Sequence, residues 1–389
     1  MSSSVTETLS PASTSVGAGL LPTIETAIAS EERQSQVPLY DEGAMVRVPV
    51  NAFGRTLYFV VDTGFTISAI DLKYRQFLGR EVNECAGKTP LGNDQAITAF
   101  QCPFMSLAGK PLNLEKLLCL DLQMAALISG KPCDGVLGMD YFMKNVVSLN
   151  FDEHIFAIAD AVPEDIKETF LAVRIKQREI FCLMEARINQ GRQVDLMIDT
   201  GDTGSLSLNQ EEWRHAFAGD LGDLISTTVA DTANQVAQSK IGVVRKLEVG
   251  NFDYNHLHAT LIRNPGSPSH VGLGFFRRHN VTFDFARCRL YLQPGGQFST
   301  PDREDMSGLH LLRRGQTTFV YSVDEDSPAF DCGMRRNDII ELLNGRNTVS
   351  MTMKNVRNSF QSHDGDSITL KVRRGGKVCE FEFALKQTI

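Results

Sequence analysis

The chain has 389 residues, of which 42% are hydrophobic and 22% charged, and its formal net charge is −8 at pH 7. This length and composition are typical of a globular protein with about two or three domains and a sizeable core. An acidic chain repels phosphate backbones, so we do not expect a nucleic-acid partner. The sequence contains no apolar run of about 18 residues, the length that a membrane span needs.

Eight cysteines are spread along the chain, none of them in a Cys-x-x-Cys pair and none with a histidine at ligand spacing. This spacing argues against a structural zinc site and against a disulfide framework. The sequence therefore predicts neither a metal nor a cofactor.

Residues 1–38 are rich in Ser, Thr and Ala and poor in aromatic residues, a composition typical of a disordered tail. They lack a basic segment followed by an apolar one, so no signal peptide is recognised. The default expectation is a cytoplasmic protein, with an exported form left open.

The first predicted elements are two strands joined by a hairpin turn at Gly54, the second of which ends at Asp62 in the sequence Asp-Thr-Gly. A turn rich in Pro, Gly and Asn follows at residues 88–95. The sequence Val-Leu-Gly then ends at Gly138. After it, a short helical turn and a strand are predicted over residues 141–151.

The same series recurs in the second half of the chain. A turn at Gly191 precedes a strand that ends at Asp199, again in Asp-Thr-Gly, and Gly-Leu-Gly ends at Gly274. A helical turn and a strand follow over residues 275–285. Two halves that agree in order and spacing at separated landmarks indicate an internal duplication.

This pattern of apolar residues, Asp-Thr-Gly, a later hairpin and an apolar-Gly pair before a helical turn resembles the lobe of retropepsin-like bacterial aspartyl proteases. The resemblance covers about residues 44–295 and implies two fused lobes, at residues 39–165 and 166–297. It also implies a mainly β fold, in which duplicated retropepsin/pepsin-like β-barrel lobes are related by a pseudo-twofold axis.

A Gly/Pro/Ser-rich stretch predicts a linker at residues 298–305. The sequence Ser-Pro-Ala-x3-Gly-Met-x3-Asp-x-Ile-x2-Leu-Asn-Gly at residues 327–345 resembles the core of a bacterial PDZ domain. The resemblance implies a small α+β domain over residues 306–389 that binds peptide or protein tails by strand addition. The residues expected to bind them are Gly308, Leu309, His310 and Leu311.

Asp62 and Asp199 are the candidate catalytic residues. The resemblance places both carboxylates at the pseudo-twofold axis, where they cannot both ionise cheaply and so share one proton. The ionised carboxylate takes a proton from a water molecule, and the protonated one polarises the scissile carbonyl. This chemistry needs neither a metal nor a covalent intermediate.

Six neighbours are predicted to support this aspartate pair. The glycines permit a tight turn with amide groups aimed at the carboxylates. One pair of threonines offers hydroxyls to the outer carboxylate oxygens, and the other, by resemblance, braces the lobes across the axis. These residues are Gly64, Gly201, Thr66, Thr203, Thr63 and Thr200.

The residue after Asp-Thr-Gly is usually Ala or Ser in the family that the chain resembles, whereas here it is Phe65 in one lobe and Asp202 in the other. We expect Phe65 to narrow one substrate pocket and Asp202 to favour a substrate Lys or Arg in the other. The alternative role for Asp202 is to cap its turn. A substrate-covering flap is predicted at the turn over residues 88–95 of the first lobe, with Pro90, Leu91 and Gly92.

The sequence thus predicts an aspartic endopeptidase that acts on peptides or proteins and carries a PDZ domain for peptide tails. Because Phe65 and Asp202 depart from the family pattern, a catalytically inactive peptide-binding protein remains the alternative. The oligomeric state stays open, and a monomer is possible because both lobes lie in one chain. A phosphate-binding loop at the second Asp-Thr-Gly is disfavoured, since it lacks a lysine and a following helix.

Overall fold

The computed structural model describes residues 35–42, 44–88, 94–163, 166, 170–176, 181–189, 191–217, 225–230, 236–264 and 266–387. Up to residue 165 the strands are β1 (Ser35–Pro38), β2 (Arg47–Ala52), β3 (Arg55–Val61), β4 (Ala69–Asp71), β5 (Glu81–Lys88), β6 (Asp94–Gln101), β7 (Met105–Leu107), β8 (Lys110–Pro111), β9 (Lys116–Leu120), β10 (Gly135–Leu137), β11 (Val146–Asn150) and β12 (Ile155–Ala159). The helices are α1 (Gln123–Ser129), α2 (Met139–Phe142) and a 3-10 helix over Leu72–Phe77.

The second half repeats this arrangement. Its strands are β13 (Phe170–Lys176), β14 (Phe181–Ile188), β15 (Arg192–Ile198), β16 (Leu206–Leu208), β17 (Ile225–Ala230), β18 (Val236–Val249), β19 (Phe252–Leu261), β20 (His270–Val271), β21 (His279–Asp284) and β22 (Arg289–Pro294). Its helices are α3 (Gln210–Ala216), α4 (Leu273–Phe276) and a 3-10 helix over Phe285–Arg287.

The C-terminal domain contains β23 (Leu309–Arg314), β24 (Thr317–Val323), β25 (Ile339–Leu343), β26 (Arg346–Asn347), β27 (Ser367–Arg374) and β28 (Lys377–Ala384). Its helices are α5 (Pro328–Asp331), α6 (Met353–Asn358) and a 3-10 helix over Thr348–Ser350. The strands form one sheet in the order β23-β24-β25-β27-β28, with β26 paired to β25, so β23 lies at an edge.

Each lobe places its Asp-Thr-Gly turn at the end of a buried strand. In the first lobe β10 runs parallel to β3 and antiparallel to β4, and in the second β20 runs parallel to β15 and antiparallel to β16. The last three residues of β3 and of β15 are buried, as expected for strands covered on both faces. Neighbouring strands thus fix both turns at equivalent positions.

The two lobes meet through a shared sheet. Strands β11 and β21 pair antiparallel, with Ser148 opposite Thr282, and the hydroxyls of these two residues are 2.7 Å apart. Beneath them, the rings of Phe142 and Phe283 make an edge contact with centroids 5.5 Å apart, within a hydrophobic core that both lobes contribute to. The mainly β fold with duplicated lobes, predicted from the sequence, is confirmed.

Of the disordered tail predicted for residues 1–38, only the last four residues are among those that the structure describes, and for these the prediction is wrong. Ser35–Pro38 forms β1 and pairs antiparallel with β12, with Ser35 opposite Ile158 and Pro38 opposite Ile155. The composition of this short segment does not indicate a strand, because backbone pairing to an exposed sheet edge needs no particular side chains.

The segment predicted as a linker, residues 298–305, makes fixed contacts with the second lobe. The ring of Phe298 packs against Tyr254 and His279, with centroids 5.7 and 5.6 Å away. Asp302 accepts hydrogen bonds from Arg278 at 2.7 Å and from the backbone amide of His258 at 2.8 Å. These contacts hold the segment against the lobe, although its Gly/Pro/Ser composition suggested a loose connection.

The C-terminal domain has a hydrophobic core of its own, which includes Val320, Phe360 and Val372. A smaller apolar cluster joins this domain to the first lobe, where Met124 and Leu127 of α1 pack against Leu312 of β23. In the part of the chain that the structure describes, no helix is long and apolar enough to cross a membrane.

Candidate active site

The two Asp-Thr-Gly turns are locked together by their threonines. The hydroxyl of Thr63 donates to the carbonyl of Ile198 at 2.8 Å, and that of Thr200 donates to the carbonyl of Val61 at 2.9 Å. Each hydroxyl also accepts the backbone amide of the other threonine, at 3.0 and 3.1 Å. Both side chains are fully buried. Four reciprocal hydrogen bonds in a dry interface fix the two turns relative to each other.

The glycine of each turn lies against the aspartate of the other. A Cβ atom placed on Gly64 would lie 2.5 Å from the carboxylate of Asp199, and one on Gly201 would lie 2.4 Å from the carboxylate of Asp62. Only a residue without a side chain permits this approach. The backbone amides of Gly64 and Gly201 each donate to the aspartate of their own turn at 2.9 Å. The arrangement brings Asp62 and Asp199 together at the lobe interface.

Burial and mutual repulsion disfavour ionisation of both carboxylates. Burial raises the pKa of Asp62 well above its usual range, and the charge of Asp199 raises it further. Burial also raises the pKa of Asp199, but the nearby His270 cation opposes the shift. Since interacting carboxylates titrate as a pair, the pair binds one proton more readily than an isolated aspartate does. The position of His270 favours Asp199 as the ionised member.

His270 was not among the residues that the sequence indicated. It begins β20, and its Nε2 lies 2.8 Å from Oδ2 of Asp202. Burial alone would lower the pKa of His270, but the hydrogen bond and the charge of Asp202 outweigh it and raise the pKa to about 9. Burial would likewise raise the pKa of Asp202, and the bond to His270 lowers it to about 2. The two therefore form an ion pair at neutral pH.

Asp202 also makes the contacts of a turn cap. Its carboxylate accepts the amide of Gly204 at 2.8 Å and the hydroxyl of Ser207 at 2.7 Å, while its own amide donates to Asp199 at 3.2 Å. These hydrogen bonds are those of the alternative role that the sequence left open for Asp202, in which its side chain caps the turn. Because these partners and His270 occupy its oxygens, a basic substrate side chain would have to compete with them.

Phe65 has no polar partner through its side chain and packs against an apolar cluster of the first lobe that includes Ala69 and Val136. Its carbonyl accepts the amide of Met139 at 2.7 Å, which ties the turn to α2. The side chain is half-buried. Its role in a substrate pocket stays a prediction.

A serine six residues after each candidate aspartate supports the turn through hydrogen bonds, and the sequence analysis missed both. Ser68 donates to Asp140 at 2.6 Å and accepts the amide of Gly138 at 2.9 Å. Ser205 donates to Asp302 at 2.7 Å. The sequence did contain a signal for these serines, because a serine occupies the same position in both repeats.

Of the remaining predicted site residues, the structure describes the two threonines but not the residues of the flap. Thr66 is half-buried and its carbonyl accepts the amide of Asp140 at 3.2 Å, whereas Thr203 is exposed. The proposed roles of their hydroxyls stay predictions. Pro90, Leu91 and Gly92 lie outside the described residues, between the antiparallel strands β5 and β6.

The four residues expected to bind peptides in the C-terminal domain lie at the start of β23. The amide of Leu309 is bonded to the hydroxyl of Ser307 at 3.0 Å, and Gly308 has a positive φ of 75°. His310 pairs with Asp324 at 2.8 Å, and Leu311 belongs to the domain core. A peptide role for this segment stays a prediction.

Comparisons with known proteins match two parts of the chain to known families. Residues 184–276 match the family model described as aspartyl protease, and residues 319–374 match the model of the PDZ domain. The chain contains an aspartyl protease domain and a PDZ domain. The resemblance drawn from the sequence is confirmed, and the chain is a protease-like, peptide-binding protein.

Among the solved structures similar to this chain is the crystal structure of a retropepsin-like aspartic protease from Rickettsia conorii. It is 19% identical, has a TM-score of 0.26, and the match covers 32% of this chain and 87% of that one. None of the curated proteins matches the chain.

Proposed function

We propose that the protein is an aspartic endopeptidase that hydrolyses peptide bonds with a water molecule activated between Asp62 and Asp199. The observation that carries this proposal is the reciprocal packing of Gly64 and Gly201 against the opposite carboxylates. This close approach restricts both positions to glycine, because any larger residue would push the turns apart. A lobe interface with a purely structural role would not need that restriction. It is accounted for if two carboxylates must act on one water molecule.

In this mechanism Asp199 is the base and Asp62 is the acid. The His270 cation favours the ionised form of Asp199, and burial favours the protonated form of Asp62. Asp199 takes a proton from water while the water oxygen bonds to the scissile carbonyl carbon, and Asp62 donates a hydrogen bond to the carbonyl oxygen. Collapse of the tetrahedral intermediate breaks the C–N bond, and the amine leaves with a proton from the aspartate pair.

Phe65 and Asp202 would line pockets on either side of the pair, together with the predicted flap at Pro90, Leu91 and Gly92. Because His270 neutralises Asp202, we expect only a small preference for a basic substrate side chain near the second turn. The PDZ domain would hold peptide or protein segments of the substrate. The lobes sit in one chain, so a monomer would suffice.

The test is a digest of a mixed peptide library by the purified full chain at several pH values, read by mass spectrometry. We expect cleavage that a pepstatin-type inhibitor blocks and that Asp62→Asn and Asp199→Asn each abolish. Retention of peptides without cleavage by the wild type would favour the alternative, a catalytically inactive peptide-binding protein, which the unusual Phe65 and Asp202 motivate.

A further inference from the structure

The two halves of the chain differ in how they hold the serine that follows each Asp-Thr-Gly turn. In the first lobe Asp140 accepts both the hydroxyl of Ser68 at 2.6 Å and its backbone amide at 2.9 Å. Asp140 is the second residue of α2, and the second residue of α4 in the other lobe is Gly274. The second lobe therefore has no carboxylate at the equivalent position.

Asp302 supplies a carboxylate there from residues 298–305, the segment that follows the second lobe. Its Oδ1 accepts the hydroxyl of Ser205 at 2.7 Å and Nη2 of Arg278 at 2.7 Å, and its Oδ2 accepts the backbone amide of His258 at 2.8 Å. The side chain of Asp302 is 13% exposed and that of Arg278 is 7% exposed. Because water has little access to these groups, the contacts fix Asp302 against the second lobe.

A second difference between the halves accompanies the first. Arg278 and Lys144 lie at equivalent positions, two residues after the ends of α4 and α2. Lys144 is exposed and donates to the carbonyl of Asn113 at 3.2 Å, whereas Arg278 is buried and donates to Asp302 and to the carbonyl of Thr300. In the second lobe, one position thus lacks the local carboxylate and another binds the segment that replaces it.

Ser205 is the residue through which Asp302 contacts the second turn. Its carbonyl accepts the amide of Gly272 at 3.2 Å, just before α4. Three residues earlier in the chain, Asp202 donates its amide to the carboxylate of Asp199 at 3.2 Å. The short segment between Asp199 and Ser205 is therefore held by hydrogen bonds at both ends. A displacement of about 1 Å can cost a catalytic group about 100-fold in rate, so the bond to Asp302 bears on the placement of the carboxylate.

We propose that Asp302 is a positioning residue. By holding Ser205 it fixes the second Asp-Thr-Gly turn, so that the placement of Asp199 depends on a segment outside both lobes. This inference rests on the proposed function in the claim that a displaced Asp199 slows cleavage, but not in the claim that Asp302 holds the turn. Supporting contacts of this kind determine how exactly a functional group is placed.

The first test measures cleavage of one peptide by full-length protein. Asp302→Ala should lower kcat by about tenfold to hundredfold and change KM by less than about threefold, because a misplaced catalytic group affects the transition state more than substrate binding. Ser205→Ala should reproduce part of this loss. Added to Asp302→Ala it should have little further effect, since both changes remove the same hydrogen bond.

Asp284→Ala is the matched control. Asp284 is also a buried carboxylate of the second lobe that pairs with an arginine, but its partner is Arg287, three residues further along the chain, at 3.1 Å. Breaking either buried ion pair leaves an uncompensated charge, so both variants should have a lower thermal midpoint. Only Asp302→Ala should lower kcat when both are assayed well below their midpoints.

A second measurement needs no catalytic activity. Backbone amide hydrogen exchange of the full-length protein, read by mass spectrometry, should become about tenfold faster over residues 199–206 after Asp302→Ala. Exchange over residues 62–69, the equivalent part of the first lobe, should not change. Asp284→Ala should leave exchange over both segments as it is in the wild type.

Folded Asp302→Ala protein with the kcat of the wild type would overturn the proposal, and so would unchanged exchange over residues 199–206. Losses of Ser205→Ala and Asp302→Ala that multiply would show that Asp302 does not act through Ser205. An equal loss of kcat in Asp284→Ala would assign the effect to general destabilisation. If the wild type cleaves nothing, the proposed peptidase is refuted, and the exchange measurement alone decides whether Asp302 holds the turn.

Discussion

The two Asp-Thr-Gly turns have the same backbone geometry but different surroundings. In both, the aspartate accepts the amide of its own glycine at 2.9 Å, and its own amide donates to the parallel neighbouring strand at 3.1 Å. The first turn then continues into an apolar environment around Phe65, and the second into the ion pair of Asp202 and His270. Duplication therefore sets the geometry of the aspartate pair, whereas the residues that differ set its electrostatic asymmetry.

The support behind the turns differs in the same way. In the structure Gly138 corresponds to Gly272, not to Gly274 as the sequence suggested, because these two glycines precede the helical turns α2 and α4. Ser68 donates to Asp140 of the same lobe, but the position equivalent to Asp140 is then Gly274, where a Cβ atom would lie 2.4 Å from Oγ of Ser205. Asp302, from the segment that leads to the PDZ domain, supplies the carboxylate there. The serine of the second turn is thus held by a segment that follows its lobe, whereas the serine of the first turn is held within its own lobe.

The largest effect is expected from the aspartates themselves. Asp62→Asn or Asp199→Asn should each lower kcat/KM by about 10²- to 10⁴-fold, because neither general acid nor general base works without its partner. The double variant should be little worse than either single one, since the two act as a unit. Losses that multiply, measured with one peptide at one pH, would show that the two turns act independently.

A smaller effect is expected when a methyl group is added to either glycine. Gly64→Ala and Gly201→Ala each force a Cβ atom into the opposite carboxylate and should lower kcat by about 100-fold, because the carboxylates are displaced. Equal losses would confirm that both lobes contribute equally to the geometry. Gly79→Ala is the control, since its Cβ would meet no atom closer than 3.4 Å.

The threonines should affect stability. Thr63→Val removes the acceptor of the Thr200 amide and the donor to Ile198, and should lower the free energy of unfolding by about 1 to 3 kcal/mol. Thr200→Val should cost a similar amount, and the double variant less than the sum because the bonds are shared. Thr56→Val, at an exposed site on β3, should change little in the same urea titration.

An effect on stability of comparable size, but dependent on pH, is expected from the ion pair that distinguishes the second turn. The folded-state pKa of His270 is raised from 6.5 to about 9, so its stabilisation is complete below pH 6.5 and is lost as the pH rises through 9. The pKa of Asp202 is lowered from 3.8 to about 2, so its stabilisation is present above pH 3.8 and is lost as the pH falls through 2. The pair therefore stabilises the fold most between these two limits.

His270→Gln should accordingly lower the free energy of unfolding on the order of 2 kcal/mol near pH 5.5, and this difference should shrink above pH 9. His363→Gln removes a histidine from an exposed ion pair and should lower the free energy of unfolding by less than about 1 kcal/mol at pH 5.5. A destabilisation by His270→Gln that stays constant from pH 5 to pH 10 would mean that packing, not charge, is lost.

Much of the site followed from local sequence. Asp-Thr-Gly after an apolar strand, repeated with nearly equal spacing to an apolar-Gly pair, was sufficient to predict two related turns, because strand, turn and strand pairing depend on residues near one another in the chain. The PDZ domain was recognised for the same reason, from the continuous segment at residues 327–345. The family resemblance also implied that Thr63 and Thr200 brace the two lobes across the axis.

The tertiary structure decided what lies around those turns. His270 reaches Asp202 from 68 residues away, and Asp302 reaches Ser205 from 97 residues away, so no local pattern connects them. The contact of α1 with β23 joins segments that are still further apart in the chain. Such contacts depend on how whole lobes pack, and packing is set by shape and burial summed over many residues rather than by any single motif.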